Sequence, residues 1–336
     1  MSTYAVLEVT PDGTLAPSTR PLVDPAPGQV RLRVQACGIC HTDVFTVQPH
    51  APHEPSRVPG HEVVGVVDAL GDGVSGWSLG QRVGVGYLGG HCGVCDACRR
   101  GNFVACADQP LTGSSVDGGY AEVAYARASG LVAVPDELTS AEAAPLLCAG
   151  FTVYNALLKA GVRAGDLVAV QGIGGLGHLG LQYAARMGLR VVAIARGRAK
   201  EEQARSFGAR YYLDAVADDV AAELQRLGGA RVIVATAAAG DSTSALLGGL
   251  AHGGHLMVVG AGSQPVAVPA LSLIFGDAVL EGSLTGRAIE NEDNLRFAVD
   301  QGIRGLVEER PLAGAAEAFD RMHSGQARFR MVLTTG

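Results

Sequence analysis

The sequence predicts an α/β fold in two parts: a doubly wound parallel sheet, preceded by a strand-rich region that carries clustered cysteines. Three observations predict it. The apolar run Leu167–Val170 leads at once into Gly172-Ile173-Gly174-Gly175-Leu176-Gly177, and the helical stretch Leu176–Met187 follows. Apolar segments then alternate with helical stretches, as a parallel sheet with crossover helices requires. The first 90 or so residues read differently, as short strands separated by turns.

A chain of 336 residues is long enough for two domains, each with its own core. The composition is globular, 48% hydrophobic and 18% charged, and a net charge of −7 gives no general attraction for nucleic acid or anionic lipid. The 47 glycines, about twice the usual share, follow no G-X-Y period and belong to turns and close backbone contacts. MSTYAVLEVT has neither a basic nor an apolar leader region, so a cytoplasmic protein is expected. No run of 18 apolar residues free of charge and glycine occurs, so no membrane span is expected. Seven cysteines in such a chain point to metal before disulfides.

In the strand-rich part, Gln29–Ala36 alternates arginines with Val30, Leu32 and Val34, a half-buried strand. CGICHTD and PGHE follow, bringing Cys40, His61 and Glu62. A soft thiolate with an imidazole is a zinc pair, not a magnesium or calcium pair. A buried free cysteine and a core histidine are the alternative, and a third ligand has to come from elsewhere. Gly38 and Gly60 let the backbone turn so that these side chains converge. Glu62–Leu70 is apolar and β-branched, a buried strand, and Asp72–Gly80 is turn chemistry around Trp77, a core plug rather than a ligand contact.

Cys92, Cys95, Cys98 and Cys106 form a C-x2-C-x2-C-x7-C series. Two-residue gaps let backbone turns aim several thiolates at one centre, and four sulfur ligands leave no open position, so the site is expected to be structural. An iron–sulfur cluster is the rival reading. After Gly118–Tyr120 the strand Ala121–Tyr125 closes this region. Thr139–Ala160 reads as helix, with Ser140 as N-cap and Glu142 in the first turn. Cys148 inside it is either core or the third ligand for Cys40 and His61, which would give a Cys2His site with an open fourth position. Cys37 is left as packing.

From Gly165 onward, the glycine loop between a strand and a helix is the dinucleotide-binding pattern: backbone approaches a pyrophosphate at the helix N-terminus. Arg190–Ile194 completes the βαβ unit, and strands near 210–213, 231–235, 255–259 and 278–282 bring the sheet to six. Helices near 291–300 and 313–323 and a last strand, Arg330–Leu333, return the chain to its first part.

GICHTD, PGHEVVG, the four-cysteine lobe, PLLCAG and GIGGLGHLG, in this order and spacing, resemble the zinc-dependent alcohol dehydrogenases of the medium-chain dehydrogenase/reductase superfamily, in their shorter bacterial and yeast-like branch. The resemblance covers nearly the whole chain. It implies a mainly-β GroES-like catalytic domain over residues 1–150 and 286–336, and a Rossmann domain over 151–285. It implies two zinc ions per chain: a catalytic one on Cys40, His61 and Cys148, with Glu62 able to replace water on it, and a structural one on Cys92, Cys95, Cys98 and Cys106. Asp43 would bond the far nitrogen of His61, and Thr42 would relay the proton of the substrate alcohol. His41 and Arg330 match positions at the cofactor pyrophosphate, although either could be a solvated surface charge. Thr152 matches a residue beside the nicotinamide, while Val259, Ala261, Ser283 and Thr285 match the segments that hold its carboxamide. Thr236 and the glycine loop complete the cofactor set. Tyr87 and Phe45 match pocket-lining positions and suggest an apolar alcohol or aldehyde substrate. Phe45 also stands where close relatives often carry a relay histidine, so the relay ends at the cofactor ribose or uses His50 or His53. A homo-oligomer, dimer or tetramer, is expected on the resemblance alone.

NAD-specific relatives end the second strand of the βαβ unit on an acidic residue that bonds the adenosine ribose. Here Ala195 holds that position, and Arg196, Arg198 and Lys200 follow. The missing carboxylate and the added planar guanidinium favour NADP over NAD, with Arg196 as the main contact. The rival functions are a zinc-free quinone or enoyl reductase of the same superfamily and a non-catalytic zinc-stabilised binding protein.

Overall fold

The computed structural model describes residues 2–47, 56–237, 240–260, 262 and 264–336, and His50, His53 and Ala261 lie outside them. The strands in chain order begin with β1 (Thr3–Val9), β2 (Leu15–Pro21), β3 (Gln29–Ile39), β4 (Glu62–Leu70), β5 (Arg82–Val85), β6 (Val123–Arg127) and β7 (Leu131–Ala133). Then come β8 (Leu167–Gln171), β9 (Arg190–Ala195), β10 (Tyr211–Asp214), β11 (Ala230–Ala235), β12 (Leu250–Val258) and β13 (Val279–Gly282). The last two are β14 (Val307–Pro311) and β15 (Arg330–Thr334). The chain divides into two compact units, Met1–Phe151 with Thr285–Gly336, and Thr152–Leu284.

In the first unit a mixed sheet runs β14-β15-β3-β4-β5-β7, with β6 on β3. Strand β3 is its spine. Val30, Leu32 and Val34 point inward and are buried, while Arg31 and Arg33 alternate outward. They pack with Val63, Val67, Val83 and Val85 from β4 and β5. Each such side chain removed from water contributes about 2 kcal/mol. Trp77 packs against the same core and donates its indole N–H to the Ala128 carbonyl at 3.0 Å. β15 closes the sheet antiparallel to β3, Leu333 opposite Cys37.

One helical reading is corrected. Thr139, not Ser140, is the N-cap: its hydroxyl accepts the Glu142 N–H, and Glu142 answers to the Thr139 N–H. Nor is the helix uniform. Ser140–Pro145 is α-helical, Leu146–Gly150 is a wider π turn, and Phe151–Lys159 resumes the α form. Pro145 has no N–H to give the ladder. Within the π turn the Leu147 and Leu146 carbonyls also accept from buried Asn291 and Asn294, at 3.0 and 3.1 Å. Such turns cluster at functional sites, and this one carries Cys148. Ser140–Lys159 is long and apolar enough to cross a membrane, but 83% of the window is buried inside the protein.

The second unit holds a six-stranded parallel sheet, order β10-β9-β8-β11-β12-β13. The order reverses between β8 and β11, which places the switch point at their C-terminal ends. Register aligns those ends: Gln171 lies opposite Ile194 and Ala235, Val258 opposite Ala235, and Gly282 opposite Val258. The segments beginning at Gly172, Arg196, Thr236, Val259 and Ser283 therefore all emerge along one edge.

Candidate active site

Cys40 follows the last residue of β3, and His61 precedes the first of β4. The two strands are paired, Gly38 opposite Glu62, so the sheet itself brings these residues together. The chain enters His61 through Gly60 at φ +96°, where a Cβ would lie 2.4 Å from the Tyr120 ring and 2.7 Å from Cys37 Sγ. Only glycine fits there. Cys148 arrives from the π turn. Cys40, His61, Glu62 and Cys148, all buried, then present one ligand atom each within 4.8 Å of one another.

The electrostatics suit a cation. His61 Nδ1 lies 2.9 Å from Asp43 Oδ1. Its Nε2 is buried without a hydrogen-bond partner among the described residues, an orphan in need of a ligand. Burial opposes charge on His61, but Asp43 and Cys40 outweigh it and hold the imidazole well above its ordinary range. A hydrogen bond from Cys148 pulls the Cys40 thiol well below its usual value, and the same bond pushes Cys148 up. Two sulfurs and an imidazole are the donors that zinc prefers.

Arg330 is not a solvated surface charge. It is buried, and its Nη2 stands 2.5 and 2.6 Å from the two Glu62 oxygens. A carboxylate wholly inside the protein needs such a countercharge. Burial still raises Glu62 to about 7, against the pull of Arg330.

Tyr120 is the residue that the sequence reading missed. Fully buried, it donates its hydroxyl to Asp43 Oδ2 at 2.9 Å, and that oxygen also accepts the Cys40 N–H at 2.9 Å. Asp43 therefore orients a ligand on each side. The available signal was an aromatic after Gly118-Gly119, which reads as a turn and nothing more. Thr42 Oγ1 is 3.7 Å from Cys40 Sγ, and the Tyr87 ring meets His61 edge-on at 5.2 Å. His41 is exposed and stacks at 6.0 Å on His323. Phe45, expected to line a pocket, is 49% exposed.

Cys92, Cys95, Cys98 and Cys106 also converge within 4.8 Å. All seven cysteines are free thiols. The Cys92 N–H points at Cys106 Sγ (3.3 Å) and the Cys95 N–H at Cys92 Sγ (3.4 Å). Backbone donors, Ala107 first, bring Cys95 down to about 6, whereas burial lifts Cys98 to about 12. Four sulfurs fill a tetrahedral ion and leave no place for substrate.

In the second unit the glycine loop is tight. A Cβ on Gly177 would sit 1.7 Å from the Gly172 carbonyl oxygen, so the helix can start only with glycine there, whereas a Cβ on Gly174 would meet nothing within 4 Å. That open side, at the start of the ten-residue helix Gly177–Arg186, fits a pyrophosphate. Ile173 is buried; Gly175 and Leu176 are partly exposed. Thr236 donates to the Gln171 and Gly172 carbonyls at 2.7 and 3.0 Å, which ties the switch point together. Ser283 and Thr152 are buried in this unit, as Thr285 is in the other, and Val259 donates its N–H to Ala235. Ala195 ends β9, and Arg196 is exposed. Lys200 donates to the Ile173 carbonyl of the glycine loop at 2.6 Å.

Comparison with known proteins shows the family. The family description "Alcohol dehydrogenase GroES-like domain" matches residues 26–136, and "Zinc-binding dehydrogenase" matches 175–300. Alcohol dehydrogenase notN of Aspergillus sp. (strain MF297-2) is 42% identical, over 94% of this chain and 92% of its own length. An alcohol dehydrogenase of Geobacillus stearothermophilus is 38% identical, over 91% and 92%. The solved structure of a cinnamyl alcohol dehydrogenase, SbCAD4 from Sorghum bicolor, superposes with a TM-score of 0.90 at 32% identity, covering 99% of this chain and 98% of that one.

Proposed function

The chain belongs to the zinc-dependent alcohol dehydrogenases of the medium-chain dehydrogenase/reductase superfamily, NAD(P)-linked enzymes that interconvert alcohols and carbonyl compounds, and from that premise we propose how its residues divide the work. Cys40, His61 and Cys148 hold the catalytic zinc, with Glu62 beside it. The observation that carries this is the convergence of those four ligand atoms within 4.8 Å around an unpartnered His61 Nε2. Cys92, Cys95, Cys98 and Cys106 hold a second, structural zinc. When bound, the catalytic metal supplies Lewis acidity toward the substrate oxygen and the dinucleotide supplies the hydride-carrying ring.

The protein's own residues position these groups. Asp43 keeps the proton of His61 on Nδ1, so that Nε2 offers its lone pair to the metal. Tyr120 fixes Asp43, and Arg330 fixes Glu62. Thr42 carries the substrate proton away. Asp43→Asn and Tyr120→Phe are expected to weaken catalytic-zinc retention about ten- to hundredfold, as outer partners of metal ligands do. Competition with a chelator measures this, and unchanged retention in both variants would remove Asp43 and Tyr120 from the account.

The preferred dinucleotide is NADP, contacted by Arg196. Ala195 offers no carboxylate to a ribose diol, and Arg196 is exposed with no hydrogen bond or ion pair among the described residues. Arg196→Ala should cost NADP, not NAD, about tenfold or more in kcat/KM, the size of a lost charge-assisted contact. A wild type that prefers NAD, or a variant that loses nothing with NADP, sinks the assignment.

The substrates are small-molecule alcohols and aldehydes, the class that the names of its relatives give, and the protein works as a homo-oligomer. Strand β13 is an edge strand, and Leu271, Ile274 and Phe275 (77% exposed) project from the helix Ala270–Gly276 that precedes it. An apolar face beside an unpaired edge calls for a cover, and a second copy supplies one. Phe275→Asp with Ile274→Asp should lower the sedimentation coefficient. A wild-type monomer at micromolar concentration would contradict the assembly.

A further inference from the structure

The segment between Ala195 and Glu201 carries three cations, and the structure commits two of them to holding the protein together. Arg198 pairs with Glu201 at 2.7 Å, and Lys200 reaches the Ile173 carbonyl. Arg196 alone stays exposed without such a partner among the described residues. What fixes the direction of Arg196 is its neighbour, Gly197. The Gly197 N–H donates to Asp214 Oδ1 at 2.8 Å, and the Gly197 carbonyl accepts from the Tyr212 hydroxyl at 2.5 Å. Both donor and acceptor of one residue are thus held, which fixes the peptide planes before and after it.

Both holders come from β10, the strand beside β9. The parallel register sets Asp214 opposite Ala195 and Tyr212 opposite Ala193, so their side chains reach the turn that leaves β9. Both residues are buried. Asp214 Oδ1 also accepts the Val216 N–H at 3.0 Å, and these backbone donors, Val216 first, hold the carboxyl below its ordinary range. The acid that a strand-end carboxylate would offer to a ribose is absent from β9, and the acid one strand over spends its oxygen on the turn.

We infer that Tyr212 and Asp214 are positioning residues for dinucleotide selectivity: they clamp Gly197 so that Arg196 is presented to the adenosine 2′-phosphate. This rests on the NADP reading. A glycine held by no partner samples many conformations, and Arg196 would then lose entropy on binding that the clamp has already removed.

Tyr212→Phe is the sharpest test, because it removes one hydroxyl and keeps the packed ring. One hydrogen bond of this kind corresponds to about a three- to tenfold effect. That loss is expected in kcat/KM for NADP, through KM with kcat unchanged, and NAD should change by less than about twofold. In an Arg196→Ala background the same substitution should no longer move the NADP/NAD ratio. Asp214→Ala should repeat the shift, and Asp214→Asn, which keeps an acceptor oxygen, should restore part of it. Equal losses with both cofactors, or the same ratio change without Arg196, would mean a merely structural role and overturn the clamp. The two ideas fail separately. A wild type that prefers NAD defeats the NADP reading. The clamp still stands if Tyr212→Phe shifts the ratio, and falls if it does not.

Discussion

Cys40→Ser, His61→Ala or Cys148→Ser is expected to lower kcat/KM for alcohol oxidation roughly a thousandfold or more, with binding of the dinucleotide within about twofold of wild type. The three residues present their ligand atoms within 4.8 Å of one another, and the hydrogen bond between the two thiols holds Cys40 low and Cys148 high. A serine oxygen is a harder and more basic donor, kept protonated where a thiolate is needed. The dinucleotide loop lies in the other unit, on other strands, so the substitutions leave it untouched. Steady-state kinetics with a titration of cofactor fluorescence separates the two quantities. A variant that kept most of its kcat would show that its residue is no ligand. Loss of cofactor affinity in parallel would show that the fold, not the chemistry, had failed.

The second large effect belongs to the cysteine lobe. Cys98→Ser is expected to remove one zinc per chain and to lower Tm by roughly 10 °C, because a structural site contributes its binding free energy to folding. Among residues 91–110 only Cys98 and Cys106 are buried. The lobe's helix Asp96–Arg99 is one turn long, and Cys98 is the one buried residue on it. The N–H groups aimed at the Cys106 and Cys92 sulfurs bond more strongly once those sulfurs are charged. Elemental analysis with a thermal melt reads both quantities. Retention of full metal content and of Tm would contradict the site, and iron in place of zinc would replace the proposed ion.

What was readable in the chain was whatever sits in contiguous spacing. Cys92 to Cys106 declare themselves by their gaps, and Gly172 to Gly177 by position between a strand and a helix. Glu62–Leu70 could be bounded because Val63, Val64, Val66 and Val67 form an apolar, β-branched stretch with Gly65 between them, and Glu62–Gly65 and Val67 are buried. Contacts made by tertiary folding were not readable. Arg330 and Glu62 are 268 residues apart, and no local pattern distinguishes a buried arginine from a solvated one. Tyr120 reaches Asp43 across 77 residues. The wide turn at Leu146–Gly150 offers its Leu146 and Leu147 carbonyls to Asn294 and Asn291, which lie in a helix more than 140 residues further along the chain. The N-cap was a closer miss. Thr139 and Ser140 are adjacent, both good caps, and only the three-residue spacing to Glu142 selects Thr139.

Anomalous diffraction at the zinc absorption edge, on crystals of protein purified without added metal, tests the central claim most directly. Two peaks per chain are predicted, one among Cys92, Cys95, Cys98 and Cys106, and one bounded by Cys40 Sγ, His61 Nε2 and Cys148 Sγ. A well-ordered map with no peak at the second position, in a preparation that oxidises alcohols at full rate, would contradict it.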